Sequence, residues 1–259
     1  MKISFIGFGN MAQAIAKGLL VNKNYQILAA SPSLPNGVNQ DGIVTSSNNL
    51  EIIRNAEVII LAVKPGKVSE VLQEVGNHLP DNSLLISIAA GVRLDSLETY
   101  CRTDQAIIRS MPNLPIALGK GATPLIANAK MNDKHQQWAE NIFQSLGIIH
   151  WTMNEKDLNP FTALSGSGPA YVFLFMEAMI EAAQKLGLDE EVARTFTLQT
   201  VDGALALAYN ADISSLRQQV TSPAGTTAAA LDILQQHQFK TLVFNAMKAA
   251  AERAEILSI

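Results

Sequence analysis

Cysteine is almost missing from this sequence: Cys101 stands alone in 259 residues. No disulfide can form within the chain, and no zinc site can be built on cysteines. Cys101 is expected to be structural, since a reactive thiol needs an electropositive setting. Charge is sparse too, at 16% of residues, with a net charge of −4 and no basic run. That argues against nucleic acid as a partner. No stretch approaches the ~20 apolar residues of a membrane span. The apolar run Ile3 to Ile6 is too short for a signal-peptide core and runs straight into Gly7. A soluble, cytoplasmic protein in a reducing compartment is expected. The four histidines, His78, His135, His150 and His237, lie outside every motif below and read as surface or packing residues; no metal site is expected.

What is present is apolar: 48% of the residues are hydrophobic. This excludes disorder and favours a large buried area, including contacts between subunits. The length suits two domains. Up to about residue 159 short strand-like runs alternate with helix-like ones. Lys2–Ile6, Tyr25–Ala30, Glu57–Val63, Ser83–Ala89 and Gln105–Arg109 read as strands. Asn10–Val21, Lys67–His78 and Leu94–Tyr100 read as helices, and Gly121–Ile126 and Gly147–Trp151 add strands around a helix at Lys134–Leu146. Such alternation with continuous apolar strands predicts an α/β, doubly wound, mostly parallel sheet of the Rossmann type. From residue 160 to 259 the strand signals stop and long Ala- and Leu-rich helical periods follow. Asp189 and Asp212 are placed to cap two of these helices. Their apolar surface is too broad for one chain to cover, so an all-helical domain that packs against a second subunit is expected.

Gly7-Phe8-Gly9-Asn10-Met11-Ala12 follows the first strand and opens the first helix. Gly7 permits the tight turn, Gly9 lets a pyrophosphate approach the backbone, and Ala12 allows close helix–strand packing. The pattern predicts dinucleotide binding. Where an NAD-binding chain carries an acidic residue, at the end of the second strand, this chain has Ala30-Ser31-Pro32-Ser33. No carboxylate repels a 2′-phosphate there, and two hydroxyls can donate to one, so NADPH is favoured, with NADH possible. Lys64, after the third strand, is in reach of a phosphate, a ribose or the nicotinamide region. Ala89-Ala90-Gly91 lets a ring lie close to backbone.

In the helical half, Val220-Thr221-Ser222-Pro223-Ala224-Gly225-Thr226-Thr227 opens the next-to-last helix. Small residues, hydroxyls and a glycine at a helix N-terminus offer free N–H groups and positive dipole density, which suits a small carboxylate. Ser165-Gly166-Ser167-Gly168-Pro169 opens the first long helix, read either as a capped helix entry or as a flexible polar loop facing the nicotinamide.

Together with Ala62-Val63-Lys64-Pro65 and Arg109-Ser110-Met111-Pro112-Asn113, these motifs resemble, in order and spacing, the pyrroline-5-carboxylate reductases. The resemblance spans essentially the whole chain. It implies reduction of 1-pyrroline-5-carboxylate to L-proline by NADPH or NADH, the last step of proline biosynthesis. It also implies a homodimer or higher homo-oligomer with an active site between a nucleotide-binding and a dimerisation domain. By that resemblance Gly7, Gly9, Asn10 and Met11 hold the pyrophosphate, Ser31 faces the 2′-phosphate and Asn49 the adenosine ribose. Ala62, Lys64 and Ala90 line the nicotinamide side. Ser222, Gly225 and Thr226 bind the substrate carboxylate, and Thr227 bonds the ring nitrogen. Ala224 departs from the pattern, since many relatives carry glycine there.

Three other readings compete. A two-domain hydroxyacid dehydrogenase would carry a lysine on the helix after the Gly-rich turn, and 166 to 180 has none. A ketol-acid reductoisomerase needs a carboxylate cluster for Mg²⁺, for which Glu177 and Glu181 are the nearest fit. A non-catalytic nucleotide-sensing module would bind the dinucleotide without turning it over.

Overall fold

The structure, a computed structural model, describes residues 1–258. The described residues form nine strands: β1 (Lys2–Ile6), β2 (Gln26–Ala30), β3 (Gly37–Val38), β4 (Val44–Ser46), β5 (Val58–Leu61), β6 (Leu84–Ser87), β7 (Ala106–Ser110), β8 (Gly121–Ala127) and β9 (Gly147–Trp151). They also form eleven α-helices. In the first half these are α1 (Asn10–Leu19), α2 (Asn49–Ile53), α3 (Val68–Val75), α4 (Leu94–Glu98), α5 (Asp133–Gln144) and α6 (Leu158–Phe161). The second half holds α7 (Gly168–Lys185), α8 (Glu190–Ala208), α9 (Ile213–Gln219), α10 (Thr226–Gln236) and α11 (Phe239–Ile256).

One sheet runs in the order β3-β4-β2-β1-β5-β6-β7-β8-β9. Its pairs are parallel except β3–β4 and β7–β8. Alternate side chains of each central strand enter different cores. Phe5 and Ile60 pack with Ile15 and Leu19 of α1 on one face, while Ile6, Ile59 and Leu61 pack with Leu72 and Val75 of α3 on the other. That is why β5 is buried along its whole length, and it makes the chain doubly wound as expected. The chain moves from β1 outward to β2, then returns past β1 to β5. This reversal opens a crevice beyond the carboxyl ends of β1 and β5.

The hairpin of β3 and β4 and the short α2 carry too few residues for a periodic pattern, and the sequence did not reveal them. Cys101 is buried far enough to push its thiol up to about 11, against the weaker opposing pull of its neighbour Arg102. The helical run Glu155–Lys185 is, by length and composition, apolar enough to cross a membrane. Its longest unbroken apolar run, residues 170–176, still falls well short of ~20 residues. In the single chain Leu164, Val172, Phe173, Leu174 and Phe175 of this helical run are exposed, as they would be on a helix awaiting a second subunit.

The chain divides into two compact units, Met1–Ser167 joined by the stretch from Ala249 on, and Gly168–Lys248. Residues 160 to 167 go with the sheet because Leu158 and Ala163 are buried in the first unit. In the second unit α7 packs on α8. The carboxylates of Asp189 and Asp212 cap α8 and α9 through the N–H groups of Glu191 and Ser215. Phe173, Leu174, Phe196 and Phe244 are each more than half exposed.

Candidate dinucleotide and substrate sites

β1 ends at Ile6 and the chain turns at once through Gly7, whose φ of +86° is open to glycine. Its N–H donates to the Ala30 carbonyl at 2.8 Å. A β-carbon on Gly7 would stand 2.6 Å from the Ala62 carbonyl oxygen, so the ends of β1 and β5 meet here only on glycine. Gly9 caps α1 in an extended conformation. No side chain bonds the first turn, and no acidic residue lies in it. A β-carbon on Gly9 would meet nothing within 4 Å. The unpaired N–H groups of the first turn, with the positive end of the helix dipole, thus face open space, and that fits a pyrophosphate.

A cavity of ≈ 250 Å³ opens at this point, lined by Gly9, Asn10, Met11, Ala62, Lys64 and Ala90 together with their neighbours. The structure therefore gathers six sequence-predicted positions from the ends of β1, β5 and β6, and Gly7 packs against Ala62 of that lining. Lys64 is exposed at the start of a 3₁₀ turn over Pro65–Lys67. Ser31 and Asn49 do not line the cavity. Ser31 follows β2, with its Oγ 3.4 Å from that of Ser33, and no carboxylate stands between 31 and 36. Asn49 opens α2 and donates from Nδ2 to Glu74 Oε2 at 3.0 Å.

In the second unit the chain leaves α9 and turns through Thr221–Gly225 into α10. The N–H of Gly225 donates to the Ser222 carbonyl at 3.1 Å and closes the turn. Gly225 caps α10 with no side-chain bond and no acidic residue in the first turn. A β-carbon on Gly225 would collide with Ser222 Oγ. Ala224 holds φ +57°, the left-handed region glycine fills at no cost. Its methyl therefore strains this turn. Ser222, Gly225, Thr226 and Thr227 come together at one helix end, with Ser222 and Thr226 exposed and Thr227 half-buried.

Residues 155–257 match the family described as pyrroline-5-carboxylate reductase dimerisation. Residues 2–91 match NADP oxidoreductase, coenzyme F420-dependent. A pyrroline-5-carboxylate reductase of Pseudomonas aeruginosa is 38% identical over 99% of this chain and 97% of its own length. The chain belongs to the pyrroline-5-carboxylate reductase family. The solved reductase of Coxiella burnetii is 38% identical, with a TM-score of 0.90 over 99% of this chain and 98% of that one. That of Plasmodium falciparum, with NADP bound, is 34% identical, with a TM-score of 0.91 over 100% and 98%. Family membership over the full length removes the hydroxyacid dehydrogenase and reductoisomerase alternatives. Glu177 and Glu181 are both exposed, and among the described residues no group of three or more His, Cys, Asp or Glu is placed to hold a metal ion.

The family motif at Ser165–Gly168 is neither a capped helix entry nor a flexible loop. α6 passes through a π-helical turn, Thr162–Gly166, and continues into α7. The Ser167 N–H donates to the Thr162 carbonyl at 2.8 Å, five residues back. Ser165 Oγ donates to the Phe161 carbonyl at 2.9 Å, so its hydroxyl serves the helix. Asn113 holds this turn from outside: its Nδ2 donates to the Ser165 carbonyl at 3.0 Å and its Oδ1 accepts from the Ala122 N–H at 2.8 Å. In the sequence Asn113 stands out only as part of a family motif. In the fold it ties the π-turn to β8, and π-turns recur at functional positions.

Proposed function

We propose that this chain reduces 1-pyrroline-5-carboxylate to L-proline with NADPH, NADH serving as the second-choice donor, at the last step of proline biosynthesis. The observation that carries this is the uncapped N-terminus of α10, where Ser222, Gly225, Thr226 and Thr227 share one turn. A chain that only sensed the nucleotide would not need it.

When bound, a dinucleotide would supply a hydride to the carbon of the C=N bond, whose π electrons would pass to nitrogen. The chain's own residues bind and orient. The first turn of α1, with Gly9, Asn10 and Met11 above Gly7, holds the pyrophosphate. Ser31 faces the 2′-phosphate, and Asn49 turns from Glu74 to the adenosine ribose. Ala62, Lys64 and Ala90, which line the cavity, would form the nicotinamide side. The N–H groups of Thr226 and its neighbours, with the Ser222 hydroxyl, take the substrate carboxylate. Thr227 Oγ1 hydrogen-bonds the ring nitrogen and keeps its proton in place as the nitrogen changes from imine to amine. A protonated imine is already electrophilic, so the reaction needs positioning more than a strong base.

Residues 1–159 serve as the nucleotide-binding domain and 160–259 as the dimerisation and substrate domain. The exposed apolar faces of α7, α8 and α11 meet a second copy of the chain, giving a homodimer or a larger homo-oligomer. The enzyme is soluble and works in the cytoplasm. NADPH oxidation followed with and without 1-pyrroline-5-carboxylate tests the reading. Oxidation only with the imine supports it; tight NADPH binding with no imine-dependent oxidation would leave a nucleotide-binding module instead.

A further inference from the structure

Glu155 and Leu257 are the first and last residues of the stretch that matches the dimerisation family. They lie 102 positions apart in the chain, yet both stand against one short segment of the first unit, Ala89–Leu94. Glu155 Oε1 accepts the Leu94 N–H at 2.8 Å, and the same oxygen accepts from Arg109 Nη1 at 2.7 Å. The Arg109 side chain is only 8% exposed and that of Glu155 20%, so the pair is shielded and fixed in direction. At the other end, the Leu257 carbonyl lies over Gly91. A β-carbon on Gly91 would stand 2.5 Å from that oxygen and 3.0 Å from its carbon. Gly91 also holds φ +78°, so both conformation and contact demand glycine.

Between these two grips lies the turn that borders the dinucleotide cavity. Ala89 and Ala90 line the cavity. The Val92 N–H reaches back to the Ala89 carbonyl at 3.5 Å, a long bond that holds the turn weakly by itself. Val92 is buried and anchors one side. A turn with so weak an internal bond takes its position from what holds its ends.

We propose that the two ends of the helical segment clamp the turn Ala89–Val92, so that Glu155 and Leu257 are positioning residues for the nicotinamide. The docking of α11 and the start of the 155–185 helical run thereby set the surface against which the reactive ring lies. This deepens the reading above and rests on the assignment of that cavity to the nicotinamide side. It also accounts for the buried Arg109–Glu155 pair, in which Arg109 aims the carboxylate oxygen at the Leu94 N–H.

Leu94 offers a test that leaves the ion pair untouched. It is the first residue of α4, and Arg93 before it is extended at φ −79°, ψ 159°. A proline is accommodated at that position and removes only the N–H. Leu94→Ala loses the side chain but keeps the N–H, and so serves as the reference. Relative to Leu94→Ala, Leu94→Pro should lower kcat about tenfold, as a displaced surface does to a reacting geometry. NADPH affinity, titrated by nicotinamide fluorescence without substrate, should change less than about twofold, since most dinucleotide contacts lie elsewhere. In the cofactor-free protein, hydrogen exchange at the 90–92 amides should rise in Leu94→Pro alone. Equal exchange and equal kcat in the two variants would overturn the clamp. Exchange needs no substrate. A rise at 90–92 in a protein that does not reduce the imine would sink the proposed reaction and keep the clamp. Should Leu94→Pro fail to fold, Glu155→Ala against Glu155→Gln carries the comparison. Glutamine keeps an acceptor for both donors, so only alanine should raise exchange at 90–92; equal exchange in these two also overturns the proposal.

Discussion

Gly7 and Ala62 meet so closely that a β-carbon on Gly7 would stand 2.6 Å from the Ala62 carbonyl oxygen, whereas one on Gly9 would meet nothing within 4 Å. The two glycines of one motif therefore answer different demands. Gly7→Ala is expected to cost about 1–3 kcal/mol of folding free energy from its positive φ, with the clash adding to it. Gly9→Ala should leave the urea midpoint unchanged and weaken NADPH binding about tenfold or more, because the methyl takes the space in which the pyrophosphate meets the first-turn N–H groups. Urea unfolding and fluorescence titration of both variants check this. A Gly9→Ala protein that binds NADPH normally would move the pyrophosphate away from α1.

Ser31→Asp places a negative charge at the end of β2, where no carboxylate now stands. It should repel the 2′-phosphate and shift the ratio of kcat/KM values toward NADH by about tenfold or more. An unchanged ratio would take the cofactor preference away from this turn.

Thr227→Ala removes one hydroxyl from the α10 turn without disturbing the cap, which Gly225 supplies through backbone alone. Turnover should fall by a factor of roughly 10–1000, the range for one positioned donor or proton-handling group. NADPH affinity should hold. Near-normal turnover removes Thr227 from the reaction, and a large loss of dinucleotide affinity moves it to the cofactor site.

Ala224 sits at φ +57°, so Ala224→Gly should relieve strain of about 1 kcal/mol. The expected outcome is a thermal midpoint higher by about 2 °C, measured on the intact oligomer. A lower midpoint would mean that the methyl makes a contact worth more than the strain.

Burial raises the Cys101 thiol to about 11 from an ordinary 9.0. The folded chain therefore holds this proton more tightly than the unfolded one. The associated stability is fully present below pH ~9 and is lost as pH climbs toward ~11, with a total of about 3 kcal/mol. Thermal melts of the native protein and of Cys101→Ala should converge across that window, since the alanine variant has no thiol to ionise. Slow reaction of the native thiol with a disulfide reagent at neutral pH should accompany it. Rapid modification of the folded protein would contradict the burial.

Much of the architecture was legible because its causes are local. Short apolar runs such as 58–61, rich in β-branched residues, fit strands covered on both faces, and the strand–turn–helix setting of Gly7 and Gly9 follows from steric demands of single residues. The shift to Ala- and Leu-rich periods likewise marks where strands end. The turn at Ser222–Thr227 was readable for the same reason: hydroxyls and glycine at a helix start declare their geometry.

Other features were decided only by the tertiary structure, because they depend on which backbone groups meet across long separations. Backbone hydrogen bonds carry no side-chain signature, so nothing in the sequence announces that β1 lies beside β5 and brings Gly7 against Ala62. β3 and β4 are held by two and three residues of pairing, too little for a pattern. By its residues the Ser165–Gly168 motif fits a loop as well as a helix entry; Asn113, 52 positions away, holds it inside a helix. Glu155, Leu94 and Leu257 look like ordinary residues wherever they occur in the chain. What gives them a common role is the packing that carries both ends of a hundred-residue helical segment to one turn beside the cofactor cavity, and contact is a property of the folded chain.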